Sequence, residues 1–257
     1  MTVQQGVALG FLAVSLVLRV GWQWLKQEKY KPQFERFTAV PGVKGAAVFI
    51  YFVGLPYLAV ILGILTPRLL GLTGLEHFTL INWDTPGLAF QVQQATTLML
   101  VEWLLDSSAT FLVGSVALAA LAGIWMNLTH YGVIIPPIQQ PVALSTLYFA
   151  LHWAFYRAMI WSVTDNLYLG VVLGAGVVMV EWMLVYWPHR HDVAYHQRFI
   201  VNAIILWLTA LIFYYSPNLW LLLPFHWLMV TIVNWSRKTL VAQESSNRIY
   251  KQPEHAG

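Results

Sequence analysis

The chain of 257 residues contains no cysteine and few charged side chains, since Asp, Glu, Lys and Arg together make up only 10% of it. The lack of cysteine excludes disulfide bonds, thiolate metal sites and a cysteine nucleophile. A soluble domain of this length would carry about 25% charged residues. Walker-type phosphate loops, Gly-x-Ser-x-Gly elbows and dinucleotide-binding fingerprints are also missing. The composition therefore argues against an ordinary soluble domain.

Apolar residues dominate what is present, at 58% of the chain. A transmembrane helix needs about 20 such residues, and we expect seven spans. Their bounds are 7–24, 46–65, 107–125, 142–163, 167–187, 198–215 and 219–235. The apolar stretch 95–128 is too long for one ordinary span, so we expect an interfacial or half-inserted lead-in before Ser107. The sequence predicts an all-α, polytopic transmembrane helix bundle of about seven spans.

The chain is interpreted as a single membrane domain over 1–257. Its first part, 1–143, holds N-terminal spans and interfacial segments, 144–235 forms a helical core, and 236–257 is a polar tail. Seven spans place twelve of the fourteen basic residues on one side of the membrane. They are Arg19, Lys26, Lys29, Lys31, Arg36, Lys44, Arg190, Arg198, Arg237, Lys238, Arg248 and Lys251. The positive-inside rule then predicts an outside N-terminus and a cytoplasmic C-terminus, and we expect a bacterial inner membrane.

The most unusual stretch is Leu151-His-Trp-Ala-Phe-Tyr-Arg157, which lies inside an apolar run. An arginine at the centre of a span costs about 2.5–3.5 kcal/mol, so Arg157 must face protein or trapped water. We expect it to be buried and paired with an acid, with Glu181 on the next span as the partner. The alternative is a retained site or a clamp for a lipid headgroup.

Other polar residues in the apolar segments have two interpretations each. Glu102 and Asp106 are spaced i,i+4, so they can share a proton or bind a cation if they face inward. The favoured interpretation is an amphipathic helix that turns this face to water. His226 is either a ligand or acid–base residue, or a hydrogen-bonded core histidine, and we favour the core histidine.

A histidine-rich loop between the fifth and sixth predicted spans contains His189, His191 and His196 near Asp192. Nitrogen and carboxylate groups of this kind can bind a metal. The other five histidines are scattered along the chain, so these three stay weak candidates and we expect no metal site. We interpret the loop as a basic segment that contacts lipid headgroups.

The C-terminal third carries short motifs that resemble a known family. His152-Trp-Ala-Phe-Tyr-Arg157 is followed by a turn at 164–170, and the hairpin from Tyr195 to His226 has a Tyr-Tyr-Ser-Pro-Asn-Leu-Trp turn. These residues resemble the CPBP family, the CAAX-protease and bacteriocin-processing intramembrane endopeptidases. The resemblance covers 144–234 and implies a protease-like helical core.

Departures from the family pattern fall on its catalytic positions. The paired glutamates that activate water in the family are His152 and Trp153 here, and the histidine of its second motif is Trp182. The third motif keeps His226 but has Val230 in place of asparagine. General-base catalysis on water needs a group that accepts a proton, and an indole does not. The resemblance therefore implies a pseudoprotease.

Two classes of function follow. The first is a non-catalytic subunit, scaffold or assembly factor of a membrane complex, respiratory or photosynthetic among others. Arg157 and His226 would bind a ligand or lipid, and the partners would be membrane lipids and other membrane-protein subunits, with no nucleic acid. No cofactor is required, although a bound lipid, quinone or pigment would suit the buried histidines and aromatic residues. The alternative is an active intramembrane endopeptidase with relocated acids, whose catalytic candidates are His152, Arg157, Glu181 and His226.

Overall fold

The computed structural model of the chain describes residues 2–25, 30–130, 142–187 and 190–250, and all regular structure in these ranges is helical. The helices are α1 (Val3–Trp24), α2 (Lys31–Thr38), α3 (Val43–Phe49), α4 (Leu55–Ile61), α5 (Glu76–Thr79), α6 (Leu88–His130), α7 (Val142–Thr164), α8 (Leu167–Tyr186), α9 (Val193–Tyr215) and α10 (Leu219–Tyr250). A π-helical turn, Ile50–Gly54, joins α3 to α4. The predicted all-α class is confirmed.

Within the described ranges, five helical segments are long and apolar enough to cross a membrane. They are Val3–Trp24, Val43–Ile61, Leu88–Asn127, Leu167–Tyr186 and Tyr195–Tyr215. A shorter apolar helical segment, Leu219–Asn234, is the first half of α10. The prediction of a helical membrane protein is confirmed. The number of seven stays a prediction, because it also needs α7 and the shorter segment to cross.

Helix α6 corrects one expectation. It is a single helix of 43 residues, about 65 Å long at 1.5 Å per residue, so no break separates the expected lead-in from the span at Ser107, and how deeply the lead-in is inserted stays a prediction. The hydroxyls of Ser107 and Ser108 donate to the carbonyl oxygens of Leu104 and Leu105. Because these polar side chains are satisfied within the helix, they do not break it.

Helix α7 lies at the centre of the bundle, packed against α1, α8 and α10. Its closest neighbour is α8, and two glycines of α8 make this approach possible. A Cβ atom on Gly174 would lie 2.8 Å from the Cα of Arg157, and one on Gly170 would lie 3.1 Å from the Arg157 carbonyl oxygen. Side chains would therefore push the two helices apart.

Short capped turns connect the C-terminal helices where they were predicted, at 165–166 and 216–218. The Asn166 side chain accepts from the amide of Leu169 at 3.1 Å and caps α8. In the second turn, the Asn218 side chain accepts from the amide of Trp220 at 3.1 Å. Such caps satisfy amides that have no partner within the helix. Helix α9 begins at Val193, earlier than the predicted start at 198.

The segment after α4 packs into one end of the bundle. The carbonyl oxygen of Gly71 accepts from the amide of Leu219 at 2.7 Å, and the Thr73 hydroxyl donates to the carbonyl of Pro217 at 3.0 Å. Gly71 has a φ of +79°, and a Cβ there would lie 2.6 Å from the ring of Phe213. Only glycine fits this close approach in the left-handed conformation. The stretch from Thr66 to Gly87 is thus a packed loop that contains the short helix α5.

Candidate functional site

Glu181 lies at the centre of a buried polar cluster between α1, α7 and α8. Its side chain is 1% exposed. One carboxylate oxygen, Oε1, accepts from Arg19 Nε at 3.1 Å. The other, Oε2, accepts from the Tyr156 hydroxyl at 2.7 Å and lies 2.6 Å from His152 Nε2. Because a carboxylate only accepts, the His152 nitrogen must be the donor, and both oxygens are occupied.

Two more side chains extend this cluster toward the π-helical turn. The Ser15 hydroxyl lies 3.1 Å from the Tyr156 hydroxyl and donates to the Tyr51 hydroxyl at 3.2 Å. Tyr51 also lies 3.4 Å from His152 Nε2 and 3.4 Å from the Tyr156 hydroxyl. We call the six side chains the Glu181 cluster. Its members are Ser15, Arg19, Tyr51, His152, Tyr156 and Glu181.

The spacing along α7 explains why His152 and Tyr156 belong to the cluster and Arg157 does not. Residues four apart share a helix face, whereas residues five apart are separated by about 140° around the axis. His152 and Tyr156 both face Glu181, and Arg157 points away from it. The predicted pairing of Arg157 with Glu181 is therefore wrong. Arg19 and His152 are the bases that pair with this acid.

Arg157 is fully buried, as predicted, at 0% exposure, but it has a different kind of environment. Its Nη2 donates to the carbonyl oxygen of Leu70 at 2.7 Å. The guanidinium carbon lies 3.2 Å from the ring centroid of Phe213 and 4.8 Å from that of Trp153. Nε and Nη1 have no hydrogen-bond partner among the described residues. Arg157 thus joins α7 to the loop after α4 through the Leu70 carbonyl, and to α9 through the ring of Phe213.

His226 is buried in an aromatic stack. Its ring lies 4.7 Å from that of Phe149 at an angle of 26°, and Phe149 stacks in turn on Trp182 at 5.4 Å. No hydrogen bond or ring contact joins His226 to Arg157 within the described ranges. The two residues that the family resemblance leaves intact are thus not in direct contact, and each is held by its own neighbours.

Glu102 and Asp106 also have separate partners rather than a shared one. Glu102 lies 3.1 Å from His77 Nε2 on α5. Asp106 accepts from the side-chain amide of Asn218 at 3.1 Å, which links α6 to the turn before α10. Each carboxylate has a partner of its own, so the positions of Glu102 and Asp106 are explained without a proton or a cation shared between them. The favoured interpretation, a face turned to water, is also incomplete, because both carboxylates contact other elements.

Of the three weak metal candidates, the structure describes His191 and His196. His189 lies outside the described residues. His191 Nε2 accepts from Arg190 Nε at 3.3 Å, and His196 Nδ1 lies 3.2 Å from the Asp192 carbonyl oxygen. In the ranges that the structure describes, no group of three or more His, Asp or Glu residues is arranged to hold a metal ion.

Sequence reasoning missed Ser15, Arg19, Tyr51 and Tyr156 as site residues. Arg19 carried a signal, because it lies inside an apolar helix, but it was used only as a marker of topology. Tyr156 also carried a signal, because its i,i+4 spacing from His152 places the two side chains on one helix face. Ser15 and Tyr51 are ordinary residues for a span, and nothing in their local sequence predicts their role.

The Glu181 cluster thus combines a buried carboxylate with an arginine, a histidine and two tyrosine hydroxyls. Their hydrogen bonds connect neighbouring helices.

Comparisons with protein-family models, curated proteins and solved structures returned no match for this chain. The family resemblance therefore stays a prediction. The apolar helices and the buried charges identify the class as a helical integral membrane protein.

Proposed function

We propose that this chain is a non-catalytic integral membrane protein that acts as a subunit or scaffold of a membrane complex. The observation that carries the proposal is that both carboxylate oxygens of Glu181 accept hydrogen bonds from neighbouring helices. Both of its oxygens are hydrogen-bonded, to Arg19 on one side and to His152 and Tyr156 on the other. A carboxylate in this state orients helices α1, α7 and α8 relative to one another, which is a structural role.

Activation of water would need more than the presence of an acid and a base. The reacting group must reach a water molecule, and an oxyanion donor must face it. His152 is buried, with its Nε2 on Glu181 and the rings of Tyr51, Phe52 and Tyr156 around it at 4.4–5.1 Å. These contacts leave the imidazole little room for water or a peptide bond, which favours a non-catalytic role.

The outer surface supports a role in an assembly. Helix α6 is longer than the roughly 30 Å hydrocarbon core of a bilayer requires. Its outward face carries large exposed apolar residues, among them Leu104 and Leu105 at 71% each. Part of this face contacts lipid, and the remainder is available to another membrane subunit. We place the N-terminus outside and the C-terminus in the cytoplasm of a bacterial inner membrane, on the distribution of basic residues.

Copurification tests the proposal directly. The tagged full-length chain, extracted from its native membrane with a mild uncharged detergent, is expected to bring a stoichiometric membrane-protein partner. Replacing Leu104 and Leu105 by serine should release the partner while the chain stays folded. The matched control replaces the exposed Leu62 of the loop after α4. A chain that purifies alone and intact under these conditions contradicts the subunit role.

One observation favours a second function, an intramembrane endopeptidase of the kind that the motifs resemble. The short His152–Glu181 contact is a histidine–carboxylate pair, in which the acid orients the imidazole. The family pattern has glutamate on the first of these helices and histidine on the second, so the two residue types would be exchanged here.

The endopeptidase is tested with purified protein offered prenylated CAAX peptides and membrane-helix substrates. The proposed function predicts no turnover. Turnover that is lost in both His152→Gln and Glu181→Gln, and kept in Glu102→Gln, would establish the endopeptidase and overturn the non-catalytic role.

A further inference from the structure

A cavity of about 340 Å³ lies between α1 and the segment that runs from α3 through the π-helical turn to α4. Its apolar walls include Leu18, Trp22, Val48 and Phe52, and its polar wall is formed by Arg19 and Tyr51. Sites that hold small molecules typically measure about 300–1,000 Å³ and combine apolar walls with a few polar groups. This cavity has both properties.

Arg19 joins the cavity to the Glu181 cluster. Its Nε donates to Glu181, while its two terminal nitrogens have no hydrogen-bond partner among the described residues. The side chain is 31% exposed, and Arg19 lies in a helix that is apolar enough to cross the membrane. A guanidinium carries five N–H donors and cannot lose its charge in a protein. The terminal nitrogens therefore present a fixed positive charge and free donors to the cavity.

The π-helical turn shapes the opposite wall. Pro56 has no amide hydrogen, and its ring conflicts with a regular helix at the carbonyl of Phe52. The helix widens instead, and the amide of Leu55 bonds to the carbonyl of Ile50, five residues earlier. π-turns of this kind are frequent at functional sites. This one places Tyr51 and Phe52 beside Arg19, with the guanidinium carbon 6.0 and 5.6 Å from the two ring centroids.

We infer that this cavity binds the oxyanion headgroup of an acidic membrane lipid. The two terminal nitrogens of Arg19 form a fork that fits a phosphate or carboxylate in a bidentate manner. Trp22, Val48 and Phe52 contact the first part of the acyl chain, and the chain leaves past Leu18 and Ile50, which are exposed at the rim. The site is distinct from Arg157 and His226, and it does not depend on whether the protein is catalytic.

The charge of the neighbourhood fits an anion. The guanidinium of Arg19 carries a positive charge, and its side away from Glu181 faces the cavity. An acidic headgroup on the free side of Arg19 compensates that charge without displacing Glu181. A zwitterionic headgroup brings its own cation close to the guanidinium, which is less favourable.

The test uses the full-length chain, freed of lipid in an uncharged detergent, with melting temperature as the readout. The added probes are dioctanoyl phosphatidylglycerol, dioctanoyl phosphatidylcholine, octanoate and inorganic phosphate. We expect phosphatidylglycerol to raise the melting temperature in a saturable manner, because a ligand that binds only the folded state stabilises it. Stabilisation by octanoate as well supports the site and assigns it to any oxyanion with an apolar tail. Equal stabilisation by phosphatidylcholine, or by inorganic phosphate alone, overturns the proposal.

Two variants locate the site. Ala47→Trp fills the cavity without touching Glu181, and the matched control is Ala46→Trp on the exposed, non-lining side of the same helix. We expect Ala47→Trp to weaken lipid binding by about tenfold or more, and Ala46→Trp to leave it unchanged. Arg19→Lys keeps the charge but loses the fork, so it should weaken binding while the exposed Arg68→Lys does not. Equal binding by wild type and Ala47→Trp contradicts the proposal.

Discussion

Two arginines lie among the apolar helices of this protein, and each is stabilised in a different way. Arg19 pairs with a carboxylate that also binds a histidine and a tyrosine, and its outer nitrogens reach a cavity. Arg157 is fully enclosed, with a carbonyl oxygen and two aromatic rings as its partners. Arg19 is stabilised by an opposite charge, whereas Arg157 is stabilised by the dipole of a carbonyl group and by the electron-rich faces of two aromatic rings.

This difference separates a region that faces a cavity from one that is enclosed by the helices. In the Glu181 cluster, Arg19 is partly exposed and lines the cavity, so a ligand can reach it. Among the residues that the structure describes, no acid pairs with Arg157, and its bond to Leu70 fixes the loop that also bonds to the turn before α10. In our proposal the charge of Arg19 serves to bind a ligand, whereas that of Arg157 links α7 to its neighbours.

The largest expected effect comes from removing the acid. Glu181→Leu leaves Arg19 and His152 without their acceptor inside the bundle. We expect a loss of about 3–5 kcal/mol in the free energy of unfolding, measured by reversible unfolding with sodium dodecyl sulfate in mixed micelles. The control is Glu102→Leu, whose pair with His77 is partly exposed, and which should cost about 1 kcal/mol or less. Equal losses in the two variants would remove the distinction between the buried cluster and an ordinary ion pair.

The next effect tests the contact that both regions share. Gly174 packs on the backbone of Arg157, and the same α7–α8 approach brings His152 to Glu181. Gly174→Ala should cost about 1–3 kcal/mol, because the added methyl group forces the helices apart. The matched control is Gly176→Ala, where a Cβ would meet nothing within 4 Å. If both variants unfold at the same detergent fraction as wild type, close packing does not position the cluster.

Helix positions were largely predictable from sequence, and the pairing of charges was not. Apolar runs predict α1, α7 and α8 to within a few residues, because a span needs a fixed length. The turn at Asn166 is predicted by its capping residue. Arg19 and Glu181, however, are 162 residues apart, and local patterns carry no information about which spans become neighbours.

Part of the site was nevertheless within reach of helical geometry. The i,i+4 spacing of His152 and Tyr156 places both on one face of α7, and Arg157 lies on another face. The angle of about 140° between residues five apart argues against one common partner for His152 and Arg157. The π-helical turn at Tyr51 is harder to predict from the sequence, although Pro56 inside an apolar span indicates a local irregularity of the helix.

A smaller effect is expected when Arg157 loses its charge. Arg157→Met keeps much of the apolar volume and removes a buried cation that pairs with no acid in the described part of the chain. Because the relief of desolvation offsets the lost bond to Leu70, the net change should be within about 1 kcal/mol of wild type. The measurement is the same unfolding titration. A loss as large as that of Glu181→Leu would mean that the carbonyl and the two rings stabilise Arg157 as strongly as a full ion pair.

The smallest effect is a coupling that should be absent, and it decides the comparison. In a double-mutant cycle, residues without a shared partner change stability additively to within about 0.5 kcal/mol, while contacting residues deviate by up to about 3 kcal/mol. The cycle of Arg157→Met with Glu181→Leu should be additive, because the Arg157 side chain leaves α7 on a different side from the one that contacts Glu181. The cycle of Arg19→Met with Glu181→Leu should be strongly non-additive, since either single change already breaks their ion pair. A large coupling for Arg157 and a negligible one for Arg19 would reverse the roles of the two arginines and restore the pairing that the sequence first suggested.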